Sequence, residues 1–150
     1  MGDHDSTKLG YPSPPGLSWQ VVLFLSIVTL GIFAGIWALV IGIWLKRVRP
    51  QSSARSLYLV FGMLGTAVYV SVLIPSLRAQ AVWLLLFAVA EWVVATFVLR
   101  EDLLVHYNGD EPIGLSIGVG GTLFGSIFYI QRYLSEIARI KRTVDVEELE

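Results

Sequence analysis

The chain has no cysteine, which excludes a disulfide framework, a thiolate metal site and a cysteine-based redox motif. It has two histidines, His4 and His106, and their placement allows no Ser/His/Asp triad. The formal net charge of −1 excludes a globally basic nucleic-acid binder. Charge is also scarce: 15% of the residues carry it, against 55% that are apolar. None of that charge falls in residues 17–45 or 57–77. About 20 apolar residues cross a hydrocarbon core, so both runs are long enough to span a bilayer. The first run is too long for the apolar region of a cleavable signal and is expected to stay in the protein.

These runs set the expected fold, an all-α integral membrane protein. Residues 1–16 read as a disordered lead-in that ends in Tyr11-Pro-Ser-Pro-Pro-Gly16, residues 17–130 as a transmembrane bundle, and residues 131–150 as an amphipathic helix with an acidic tail. Met1-Gly2 with Ser6 fits only the loose myristoylation pattern, and an ordinary disordered start is the better reading. The first span begins at Ser18, a good N-cap, with Trp19 expected at one interface and Trp44 at the other. Lys46-Arg47-Val48-Arg49-Pro50 stops it. The second span runs from about Ser56 to Ile74. The third runs from about Ala81 to Leu99 and is ended by Arg100-Glu-Asp102.

Residues 113–130 include Gly114, Gly118, Gly120, Gly121 and Gly125, which weaken a helix. Four full spans would divide the basic residues almost evenly between the two sides of the membrane. If the fourth run dips in and returns, only Lys8 and Arg78 remain on the far side, as the positive-inside rule prefers. Three transmembrane helices plus a Gly-rich re-entrant segment, or a fourth transmembrane segment in its place, is therefore the expected architecture. The first run raises the same question. As one helix it would rise about 43 Å, so a tilt or a break near Thr29-Leu30-Gly31 is expected. Beyond residue 130, Ile130, Tyr133, Ile137, Ile140 and Val144 form an apolar stripe. Gln131, Arg132, Glu136, Arg139 and Arg142 occupy the opposite face.

Small residues mark where membrane helices approach closely. Gly31, Gly35, Ala38 and Gly42 form one stripe and Gly114, Gly118, Gly121 and Gly125 another. Each stripe is expected to offer a close-packing face, with the other as its candidate partner. Thr29-Leu30-Gly31 and Thr122-Leu123-Phe124-Gly125 hint at a duplicated unit. Glu91 is the one ionisable residue inside the apolar runs, and an intramembrane carboxyl is a functional-site hypothesis by default. Ala88 and Ala95 flank it on one helical face. Counting outward from the turn at Pro75 puts Thr66 level with it, on a face shared with Gly62, Gly65 and Tyr69. Without a cation in any span, Glu91 reads first as a neutral hydrogen-bonded link between helices. His106 with Asp102, Asp110 and Glu111 is a poor metal-ligand set, and Gly118-Val-Gly120-Gly121 lacks the strand and the Lys-Ser/Thr of a phosphate loop. No cofactor is expected.

Leu25-Ser-Ile-Val-Thr-Leu-Gly-Ile-Phe33, followed by Trp37, resembles the signature of an uncharacterised family of small multi-span bacterial membrane proteins. Tyr107-Asn108, Glu111-Pro-Ile-Gly-Leu115 and Phe128-Tyr-Ile-Gln131 are similar to a downstream pattern in the same family. The resemblance implies a bacterial inner-membrane location and carries no activity. The expected role is non-enzymatic: a structural or accessory subunit that meets the lipid bilayer and other membrane subunits or itself, and no nucleic acid. A small oligomeric ion or proton channel or transporter using Glu91 is one alternative. A membrane-shaping protein is the other, and it requires both Gly-rich runs to be re-entrant.

Overall fold

The computed structural model describes residues 11–147, with side chains through residue 142. The readings on Met1-Gly2 and His4, and on the side chains of the acidic tail, lie outside the described residues. Those described form helices and no strand: α1 Trp19–Val28, α2 Ile32–Val48, α3 Ala54–Leu73, α4 Arg78–Val105 and α5 Val119–Glu147. A single 3-10 turn, Pro75–Leu77, joins α3 to α4, and a π-turn, His106–Asp110, follows α4.

α3 and α4 are long and apolar enough to cross a membrane, with mean hydropathies of 1.8 and 2.3 over their most apolar stretches. Only 11% and 22% of those stretches are buried. The core helix of a soluble protein is covered on most sides, whereas Met63, Trp83 and Phe87 here face outward. Because Pro75–Leu77 feeds straight into Arg78, α4 starts three residues before the predicted Ala81, and it continues past Arg100 to Val105.

The first apolar run is not one helix. It breaks at Thr29-Leu30-Gly31, and α1 and α2 lie back to back as a hairpin. The Trp44 indole N–H, near the end of α2, donates to Pro12 O (3.0 Å), ahead of α1. The N-terminal strap and Trp44 therefore share one end of the molecule, the near end, instead of lying at opposite interfaces. Capping explains the tip. The Leu30 N–H returns to Ile27 O and the Gly31 N–H to Ser26 O, the two bonds of a Schellman ending. The Thr29 hydroxyl donates to Leu25 O and accepts from Phe33 N–H, so it closes α1 and caps α2. Leu30 adopts φ 52°, which costs a residue with a Cβ about 1–2 kcal/mol. Its side chain stands 94% exposed at the tip.

α5 contains a second reversal. Ser126 has φ 48° and ψ −136°, outside helical space, and its hydroxyl accepts from the Trp92 indole N–H (2.7 Å). Ile117 O accepts from Arg100 Nε, two turns farther along α4. The limb up to Gly125 therefore descends beside α4 from Arg100 to Trp92. The second limb climbs back to the near end, where Lys141 meets Glu111. The expected re-entrant Gly-rich segment is thus a helical hairpin.

Glycine fits this picture selectively. A Cβ at Gly121 would overlap the Tyr129 ring, and one at Gly125 would sit 2.7 Å from Tyr129 Cβ. Gly118 lies against the same side chain. That stripe receives its own return limb and not the first run, so the pairing of the two stripes is corrected. In α2, a Cβ at Gly42 would come within 3.0 Å of Arg55 Cα, and one at Gly35 would touch Phe61, so both face α3. Ala38, Ala88 and Ala95 are buried as expected. Gly31 (φ 90°) and Gly114 (φ 70°) serve turns, and no atom would meet their Cβ. Gly62 and Gly65 also open onto empty space and pack nothing. Gly121→Ala and Gly125→Ala are expected to destabilise the protein by about 1–3 kcal/mol through overpacking. Gly62→Ala and Gly65→Ala should be neutral or stabilising by up to about 1 kcal/mol. Thermal unfolding in mild detergent checks this, and equal effects at all four positions would contradict the hairpin packing.

Candidate functional site

The near end carries a polar network drawn from three segments. The π-turn and the residue after it supply His106, Asp110 and Glu111, the second limb of α5 supplies Gln131 and Lys141, and the N-terminal strap supplies backbone carbonyls. Gln131 is fully buried. Its Oε1 accepts from Trp37 Nε1–H (2.9 Å), and its Nε2 donates to Pro15 O (3.2 Å) and Leu17 O (2.5 Å). One amide thereby ties α2, the strap and α5 together. The proline lead-in, expected to be disordered, is docked from Tyr11 onward because its carbonyls are the acceptors for Gln131 and Trp44.

About ten residues farther along α5, Lys141 Nζ pairs with Glu111 Oε1 at 2.6 Å, with both side chains buried. The other oxygen of Glu111 lies 3.4 Å from His106 Nε2, and His106 Nδ1 lies 3.5 Å from Asp110 Oδ2. The His106 ring is enclosed and meets Tyr11 and Tyr107 edge-on, at centroid distances of 4.8 Å each. Lys141 also reaches Tyr11 O (3.5 Å). Next to this network, Arg49 Nε pairs with Asp102 (3.2 Å), joining the end of α2 to α4. Asp102 therefore belongs to a different pair from His106. Asp110 and Glu111 sit on different nitrogens of His106, and no group of three or more such side chains among the described residues is arranged to hold a metal ion. The chemistry present is a buried ion-pair clasp.

The predicted amphipathic face of α5 is rotated from its expected position. Ile127, Ile130, Leu134, Ile137, Ala138 and Lys141 face inward with Gln131, while Ile140 is 52% exposed. Hydrophilicity alone places Gln131 on the polar face, and the structure corrects this. The stripe 127–130–134–137–141 at three- and four-residue spacing was the available signal.

Glu91 lies between Ala88 and Ala95 on the expected face, with both carboxyl oxygens shielded and without a hydrogen bond among the described residues. Thr66 and Tyr69 are not its partners. The Thr66 hydroxyl donates to Gly62 O on its own helix (2.9 Å), and Tyr69 is 67% exposed. The early start of α4 explains the difference, because one extra turn moves Glu91 toward the first half of α3. There Tyr58 lies beside Thr96 and within electrostatic reach of Glu91, and its ring packs edge-on against Trp92 (5.6 Å).

Comparison of the chain with protein-family models, curated proteins and solved structures returns no match.

Removing one member of a buried ion pair costs about 3–5 kcal/mol, because the other charge is stranded. Lys141→Met is expected to destabilise the protein by that amount, and Glu111→Leu combined with Lys141→Met should recover much of the loss. A double-mutant cycle on thermal unfolding reads this directly. Additive losses would show that the clasp does not act as a pair.

Proposed function

We propose that the chain is a non-enzymatic, multi-pass protein of a bacterial inner membrane that acts structurally, as a one-sided wedge. The observation that carries this reading is that both reversals, at residues 29–31 and at Ser126, return the chain to the same end. At about 1.5 Å per residue, α1 rises about 15 Å and α2 about 25 Å, both short of the ~30 Å core. The bilayer on the near side of the tips then holds α1, α2 and the limbs of α5 together with α3 and α4. Beyond the tips, on the far side, it holds α3 and α4 alone. A body wider in one leaflet than in the other favours membrane curved around its wide end.

The charge pattern supports the same orientation. Arg78 sits at the far turn, whereas Lys46, Arg47, Arg49, Arg55, Arg100, Arg132, Arg139, Lys141 and Arg142 lie toward the near end. The positive-inside rule places that end in the cytoplasm. Each tip is tied by its own hydrogen bonds, the first by the Schellman bonds and the Thr29 hydroxyl and the second by the bond from Trp92 to Ser126, while Leu30 and Phe124 stand exposed. The segments that carry the family resemblance also fit. Thr29-Leu30-Gly31 forms one tip, and Trp37 and Gln131, from separate segments, bond each other.

A role as a subunit of a larger assembly is favoured by one separate feature, the unpartnered carboxyl of Glu91, which a neighbouring subunit could satisfy. One preparation tests both readings. The purified protein is reconstituted at rising protein-to-lipid ratio, and vesicle diameters are measured by electron cryomicroscopy, with a native gel run in parallel. Narrower vesicles or tubules are expected. Diameters unchanged from protein-free vesicles would overturn the wedge, and a monomeric band without any companion would overturn the subunit.

A further inference from the structure

The first hairpin ends before α3 and α4 do, and it leaves a cavity of about 370 Å³ under its tip, open on one side. Gly31 and Ala34 form its roof, Phe61 and Gly65 one wall, and Ala88 and Trp92 the other. All the lining side chains are apolar, and the one polar atom among them, Trp92 Nε1, already donates to Ser126. A water there would find few of the two to four partners it needs. The volume falls within the range of ligand pockets. One turn of a helix, about 10–12 Å across and 5.4 Å long, would already exceed it. The far halves of α3 and α4 extend past the hairpin tip and frame the approach to the opening.

We infer that this cavity is a binding site for one acyl chain of a membrane phospholipid, which enters from the far leaflet and ends beneath Gly31. The inference rests on the membrane reading of α3 and α4 given above. It adds a specific lipid ligand, one whose chain seats the hairpin tip at a fixed depth. The Phe61 and Trp92 rings pack on each other (centroids 4.7 Å apart) and close the space between α3 and α4, so the acyl chain lies over them and its terminal carbons match the purely apolar roof. A Cβ at Gly65 would have no atom within 4 Å, so the missing side chain there serves the cavity and not helix packing.

The test is photolabelling in vesicles of phosphatidylethanolamine and phosphatidylglycerol that contain a trace of phosphatidylcholine with a diazirine near one acyl terminus. Adducts are mapped by mass spectrometry. Adducts are expected on Ala34, which is only 8% exposed, and on Phe61, as well as on the outward-facing Trp83 and Phe87. Gly65→Leu, which has room for its side chain, should abolish the Ala34 and Phe61 adducts and spare those on Trp83 and Phe87. Val68 also lines the cavity, and Val68→Trp provides an independent filling of the same space, with the same expectation. Labelling of Trp83 and Phe87 with none on Ala34 would overturn the site alone. Absence of adducts at every position would overturn the membrane reading and the site with it. Copy-to-copy disulfides formed by Val68→Cys, in a chain otherwise free of cysteine, would assign the cavity to a second copy and also overturn the site.

Discussion

The near end of the molecule depends on the side-chain amide of Gln131. It is buried without charge, and every polar atom it presents is used, by Trp37 on one side and by two strap carbonyls on the other. An amide in an apolar interior is tolerated only when its bonds are made, and here they are made by groups from three separate segments. The first hairpin must bring Trp37 and Leu17 together, and the second must raise Gln131 to their level. The two hairpins therefore fix each other.

Tryptophan plays a parallel role at the second tip and at the near end. Trp92 holds Ser126 at a backbone angle that a serine seldom adopts, and Trp44 fastens the strap to α2. Strained residues persist where the surroundings over-determine them. At the first tip Thr29 and the Schellman bonds supply that determination. At the second, the indole of α4 supplies it. Above both, the Glu111–Lys141 pair and its neighbour His106 close the network, and their burial makes the closure sensitive to loss of either charge.

Much of this was legible in the sequence, and the gaps have definite causes. Glycine density and the balance of Lys and Arg pointed to a re-entrant fourth run, and the length of the first run pointed to a break at residues 29–31. The small face around Glu91 also follows from helical spacing. Its neighbours on α3 do not, because a turn of three residues sets helix register, and Pro75–Leu77 is tighter than a generic loop. The inward positions of Gln131 and Lys141 were hidden because hydrophilicity competes with periodicity as a signal, and here periodicity wins. The destination of each glycine stripe was not readable at all. A glycine that receives Tyr129 and one that faces empty space, such as Gly62, look alike until the chain reversal is known.

The wedge and its lipid site both require the two Gly-rich runs to enter and leave by one face. Single cysteines placed at the exposed positions Ser13, Gln51, Asp110, Arg142 and Ser76, in a chain with none of its own, can be probed in sealed vesicles with a membrane-impermeant maleimide. Ser13, Gln51, Asp110 and Arg142 are expected to react from the same side and Ser76 alone from the other. Reaction of Ser13 on the side opposite Gln51, or of Arg142 on the side opposite Asp110, would show a full crossing where a hairpin is claimed and would contradict it.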